Sequence, residues 1–248
     1  WLDLLLDRSV SPDEEAIAAA IDLLALDRLQ AVMTVHSHFD HAIDTGLVAL
    51  RTGADVLGSS STANVARGAG VPEDSITIVS AEERYRSGDF EVAFFTGAHA
   101  PLADGGPPMP GEIVEPLVPP QPVSAWREGG SYTILVSHPE ADILIVGSAG
   151  YVAGAHSDID VDAVFLGAGG LSTMSREHTE TYVYESVHLP QAERVFVIHH
   201  DDLTAPFGEI RLMPALAMDR TFVFELEQMV LPAEMYSLDF NEPVVLGR

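Results

Sequence analysis

His36-Ser37-His38-Phe39-Asp40-His41 is the stretch that decides how this chain of 248 residues is read. It follows an apolar run, Ala31-Val32-Met33-Thr34-Val35, which reads as a short buried strand running into His36. It precedes residues 44–51, which read as a helix closed by Gly53. Alternate residues of an extended strand point the same way, so His36 and His38 can grip one ion. Asp40 and His41, at a helix start, can aim at a neighbouring point. Imidazole and carboxylate donors at this density suit zinc, iron or manganese. A polar surface is a poor explanation for three histidines and an aspartate packed into a strand end.

Outward from this stretch, strands and helices alternate, which predicts an α/β layered domain. Ser11-Pro12-Asp13-Glu14-Glu15 reads as a helix start capped by Ser11, with Ile17, Ile21 and Leu24 on its apolar face. Residues 54–58 read as a strand and 62–67 as a short helix stopped by Gly68. Further strands are expected at 75–79, 90–96, 132–136, 143–146, 161–166 and 194–198. His138-Pro139 marks a hairpin between two of them. Residues 177–189 and 219–229 read as helices, and 236–246 as irregular or β. Residues 101–122 are dense in proline and glycine and read as a long functional or mobile loop, a candidate lid.

Composition narrows the function classes. Twelve basic residues face 38 acidic ones, a formal net charge of −26, and every basic residue is arginine. Such a surface repels nucleic acid and anionic lipid. With no lysine there is no P-loop, and no G-x-S-x-G elbow marks a serine hydrolase. Cysteine is absent, which removes disulfides and thiolate metal sites. No apolar run reaches membrane-spanning length. The chain starts at Trp1 rather than methionine. A cytoplasmic location is favoured, with export left open because the natural start is expected to be missing.

The pattern His-x-His-x-Asp-His after a strand resembles the metallo-β-lactamase superfamily. Two further stretches fit it in order: Phe94-Phe95-Thr96-Gly97-Ala98-His99, and Arg194-Val195-Phe196-Val197-Ile198-His199. The likeness spans roughly the whole chain and is nearest the sugar-phosphate-lactonase-like branch. It implies an α/β fold, a four-layer αββα sandwich, formed here by a single domain over residues 1–248 that lacks its N-terminal strands. It also implies that His36, His38 and His99 hold a first metal and that Asp40, His41 and His199 hold a second. Zn2+ is the expected ion, one or two per chain, with Mn2+ or Fe2+ as alternatives. A metal-bound hydroxide would attack a small ester or lactone, with Asp40 carrying the proton.

One departure stands out. The family's bridging aspartate follows a strand and a glycine, and here that place in Val146-Gly147-Ser148 is a serine. A neutral hydroxyl does not offset repulsion between two dications as a carboxylate does. A weak second site, a single ion, or another acid such as Asp104 remain open. Asp201 is a candidate for orienting a histidine from behind. His200 is expected to point away from the metals. His138, His156, His178 and His188 are expected on the surface or on helices. The partner is expected to be a small molecule, with no nucleic acid and no membrane, and the oligomeric state is unreadable. A phosphodiesterase on the same metal site and a non-catalytic metal or ligand binder are the competing functions.

Overall fold

A computed structural model describes residues 6–101, 105–202, 205–211, 218–241 and 243–246. The chain divides into two compact units. The first takes the residues up to Ser80 together with Pro107–Ser131, and the second takes Ala81–Gly106 and everything from Tyr132 on.

The first unit begins with helix α1, Glu14–Leu23. Its cap is Asp13 rather than Ser11: the Asp13 carboxylate accepts from the amides of Glu15 and Ala16 at 3.1 and 3.0 Å. Strand β1 is Ala31–Met33, followed by the short helix α2, Phe39–Ala42, and by α3, Thr45–Thr52, which Gly53 closes in the left-handed conformation. Strand β2, Asp55–Gly58, helix α4, Ser60–Ala69, and strand β3, Ile76–Ile78, complete the run. The three strands are parallel in the order β1-β2-β3.

The predicted stop at Gly68 lies inside α4; the real stop is Gly70, at φ +91°. Gly68 serves packing instead. A Cβ there would stand 1.9 Å from the carbonyl oxygen of Leu117. From Pro107 on, the proline-rich segment is therefore stitched into this unit rather than hung over it. The Asn64 side chain donates to the Ile113 carbonyl at 2.7 Å, the Ile113 amide donates to Ser61 Oγ at 2.9 Å, and the Leu117 amide donates to the Asn64 carbonyl at 2.9 Å. Ile113, Leu117 and Trp126 share a core with Ala42 and Val65. Gln121–Pro122 pairs with Ser9–Val10. Residues 102–104, Asp104 among them, lie outside the described residues.

The second unit is built on a seven-stranded sheet. Its strands are β4, Arg84–Ser87; β5, Phe90–Thr96; β6, Tyr132–His138; β7, Ala141–Val146; β8, Ala163–Gly167; β9, Arg194–Ile198; and β10, Glu234–Ser237. The spatial order is β10-β9-β8-β7-β6-β5-β4. β7 to β10 are mutually parallel, while β6 runs against both β5 and β7, and β4 against β5. It follows that β5, β7, β8, β9 and β10 all run one way and deliver their C-terminal ends to one edge. Alternation places Val164, Leu166, Val195 and Val197 on the face packed with Leu144, Val146 and Leu135. Helices α5, Arg176–Val183, and α6, Arg220–Val230, belong to the same unit, and Val183, Leu226 and Val230 join that core.

The helix predicted over 177–189 changes pitch. After Val183 it widens into a π turn at Tyr184–His188, with the Leu189 amide bonded to the Tyr184 carbonyl at 2.8 Å. The Glu185 carbonyl there accepts from His156 Nδ1 at 2.9 Å. His156, expected at the surface, is buried. Its Nε2 takes the Thr133 hydroxyl at 2.8 Å, and burial holds its imidazole below the ordinary range.

Candidate metal centre

In the first unit, β1 stops at Met33, so His36 and His38 lie on the loop beyond the strand rather than on it. That loop is held at several points. The Thr34 and Thr62 hydroxyls are 2.7 Å apart. Ser37 donates its amide to the Glu128 carbonyl at 3.0 Å and its hydroxyl to the Arg127 carbonyl at 2.7 Å. The Arg127–Gly129 backbone can come this close because Gly129 has φ +69° and no Cβ; a Cβ would stand 2.3 Å from Ser37 Oγ.

The side chains converge. His36 and His38 are almost wholly buried. The His36 ring stands edge-on to His38, centroids 4.8 Å apart, and 4.0 Å from the His41 ring. His41 Nε2 lies 3.3 Å from Asp40 Oδ2. Three imidazoles this close cannot all carry a proton's charge without strong repulsion, and neutral imidazole is the form that ligates metals.

His38 Nε2 is 2.9 Å from the Pro108 carbonyl oxygen. A carbonyl only accepts, so Nε2 carries the proton and Nδ1 carries the lone pair. This is how backbone carbonyls set ligating histidines.

In the second unit, His99 comes three residues after β5 and His199 immediately after β9, at the same sheet edge. His99 shows the mirror arrangement to His38: Nδ1 donates to the Ala100 carbonyl at 2.8 Å, so the lone pair sits on Nε2. His199 has the left-handed φ of +55°, which turns the chain sharply at the strand end. Its ring lies against Gly169, where a Cβ would stand 2.3 Å from Nδ1. The glycine run after β8 thus makes room for a histidine, a role the sequence reading did not assign. Gly147 and Ser148 follow β7 at this edge, and the Ser148 hydroxyl accepts from the Ala100 amide at 2.9 Å. Asp201 is half-buried.

His200 diverges from its neighbour. It lines a cavity of ≈ 480 Å³ with Val197, Met218, Val223 and Met235, and with Arg220 at the start of α6. A larger hollow of ≈ 580 Å³, around His188, Arg194 and Glu234, lies at the opposite edge, where β9 and β10 begin, far from the candidate ligands of this unit. Of the other histidines, His178 and His188 are on the α5–π helix as expected, and His138 ends β6 against Phe90.

No family model matches the chain, and no curated protein matches it. Solved structures do. The metallo-beta-lactamase fold protein YhfI from Bacillus subtilis superposes with a TM-score of 0.55 at 11% identity, over 93% of this chain and 83% of that one. The chain has the metallo-β-lactamase fold. A metallo hydrolase from the hyperthermophilic archaeon Ignicoccus hospitalis matches with a TM-score of 0.53 at 14% identity, over 86% of this chain and 77% of that one. CmlA, a diiron beta-hydroxylase from Streptomyces venezuelae, gives 0.53 at 16% identity, over 86% of this chain and 44% of that one. These likenesses show the fold alone, and the chemistry has to be argued from the residues. Among the described residues no helix is long and apolar enough to cross a membrane.

Proposed function

We propose that this chain is a metal-dependent hydrolase of a small ester or lactone. His36, His38 and His99 would hold one ion, and Asp40, His41 and His199 a second. The observation that carries this reading is the tautomer of His38 and of His99, each set by a backbone carbonyl so that one defined ring nitrogen offers a lone pair. Nitrogen donors of this kind with one carboxylate suit Zn2+ first, and Mn2+ or Fe2+ after it. A bound dication supplies an acidified water and a polarised carbonyl. Asp40, beside His41, takes the proton from the attacking water and returns it to the leaving alkoxide. Ser37 and Gly129 keep the His36–His38 loop from shifting while this happens.

The cavity beside His200 has the size of a small-molecule site and joins an apolar wall of Val197, Met218, Val223 and Met235 to the polar Arg220, Glu227, Tyr236 and Ser237. An acidic chain of net charge −26 disfavours polyanionic substrates. That charge favours a neutral ester over a phosphodiester.

The test is a panel of lactones, aryl esters and a phosphodiester, run on protein stripped by chelator and then reloaded with Zn2+, Mn2+ or Fe2+. Turnover of an ester that disappears on stripping and returns on reloading is expected. Metal-loaded protein inert towards the whole panel would leave a non-catalytic metal binder, and turnover of the phosphodiester alone would leave a phosphodiesterase.

A further inference from the structure

The turn after β7, Gly147-Ser148-Ala149-Gly150, is clamped from two directions. On one side the Ser148 hydroxyl accepts the Ala100 amide at 2.9 Å, and Gly150 lies so close that a Cβ would stand 2.4 Å from the His99 carbonyl oxygen. On the other, His178 Nε2 on α5 donates to the Ala149 carbonyl at 2.8 Å, and Tyr151 packs on the His178 ring at 5.4 Å. Ala149 is fully buried. A continuous path thus runs from α5 through this turn to the backbone of His99, and Ser148 is the side chain that closes it.

We infer that Ser148 is a positioning residue for His99, and that the centre consequently binds its two ions with very unequal affinity. The inference rests on the assignment of His99 as a ligand in the proposed function. A bridging carboxylate does two things at such a place: it fixes neighbouring backbone through hydrogen bonds, and it brings negative charge between two dications. Ser148 does the first and, being neutral, cannot do the second. Repulsion between the ions then falls on the second one to bind. The first ion gains a rigid His99; the second gains no added charge.

The experiment is metal titration of the whole chain with Zn2+ against a graded chelator, read by elemental analysis, for the unaltered protein and for Ser148→Ala, Ser148→Thr and Ser148→Asp. Co2+-loaded samples, read by their ligand-field spectra, report the coordination of the first ion independently of turnover. The unaltered protein is expected to keep one ion at chelator levels that strip the second, a gap of about 100-fold or more. Ser148→Ala should weaken the first ion about 10-fold, the effect of losing a group that orients a ligand. It should do so with the metal-free protein still folding cooperatively and losing no more stability than one hydrogen bond supplies. Ser148→Thr, which keeps the hydroxyl, should restore that affinity. Ser148→Asp should close most of the gap between the two ions. Two equally tight ions in the unaltered protein, or an unchanged first ion in Ser148→Ala, overturns the inference; if Ser148→Asp does not fold, the Ala and Thr pair still decides. One tight ion without ester turnover sinks only the hydrolase reading, two tight ions with turnover sink only this inference, and no bound ion sinks both.

Discussion

The two units carry their candidate ligands in opposite ways. In the first, four donors sit within six consecutive residues on a loop, and carbonyls of residues 108, 127 and 128 hold that loop from outside. In the second, His99 and His199 are far apart in sequence and lie at the same end of the sheet because β5 and β9 run in the same direction. A contiguous motif is simple to encode and needs tethering. A dispersed pair inherits its placement from sheet register and needs only local clearance.

The sharpest way to break the comparison is to loosen the tether. Gly68→Ala, which drives a Cβ into the Leu117 carbonyl, should destabilise the chain by about 3 kcal/mol in urea unfolding. A loss under about 0.5 kcal/mol would show that the 107–131 segment does not brace the motif. Next in size, His38→Ala and Gly169→Ala strike the two halves separately. Removing the proposed ligand should abolish most metal retention and cut turnover on the order of 100-fold or more, while crowding the His199 ring should cost metal affinity about 10- to 100-fold. Each variant should also lower the urea midpoint, His38→Ala by emptying a buried site and Gly169→Ala by crowding the His199 carbonyl oxygen at 2.8 Å, but both should still unfold in one cooperative transition; loss of that transition would mean packing, not ligation, was lost.

Smaller effects sharpen the picture within the second unit. The Tyr182 hydroxyl donates to the Gly167 carbonyl at 2.8 Å in a fully buried setting that pushes its pKa upward. Tyr182→Phe should lose about 1–2 kcal/mol, read by urea unfolding. His156 gives a pH-dependent effect. Burial holds its pKa below the ordinary 6.5. Below about that pH the unfolded chain binds a proton that the folded chain refuses, so stability is lost as pH falls from near 6.5 towards the lower folded value. His156→Gln should flatten that part of the pH–stability curve, and parallel curves for the two proteins would refute the assignment.

Much of this was legible in the residues because the relevant signals are local. Phe90–Thr96 and Arg194–Ile198 are apolar runs bounded by turns, and both form strands with the expected limits. Gly53 ends its helix as expected because a left-handed residue is needed there. Gly68 misled because its reason lies at Leu117, and no nearby residue signals that contact. The π turn escaped for a similar cause: a widened helix is favoured here by His156 claiming the Glu185 carbonyl from outside the helix. Histidine spacing named the candidate ligands, but Gly129 and Gly169, which give two of those segments their room, carry no periodic signature at all.

The chain passes between its two units three times, after Ser80, Gly106 and Ser131. No single cut can therefore release both units whole. A fragment ending near residue 80 lacks Ile113, Leu117 and Trp126, the residues that fill the core beneath α2 and α4. During synthesis that core stays open until residue 131 has emerged, with the β4–β5 segment made in the interval. Split-protein or domain-swap engineering of this chain must move residues 107–131 together with the first eighty, as one discontinuous part.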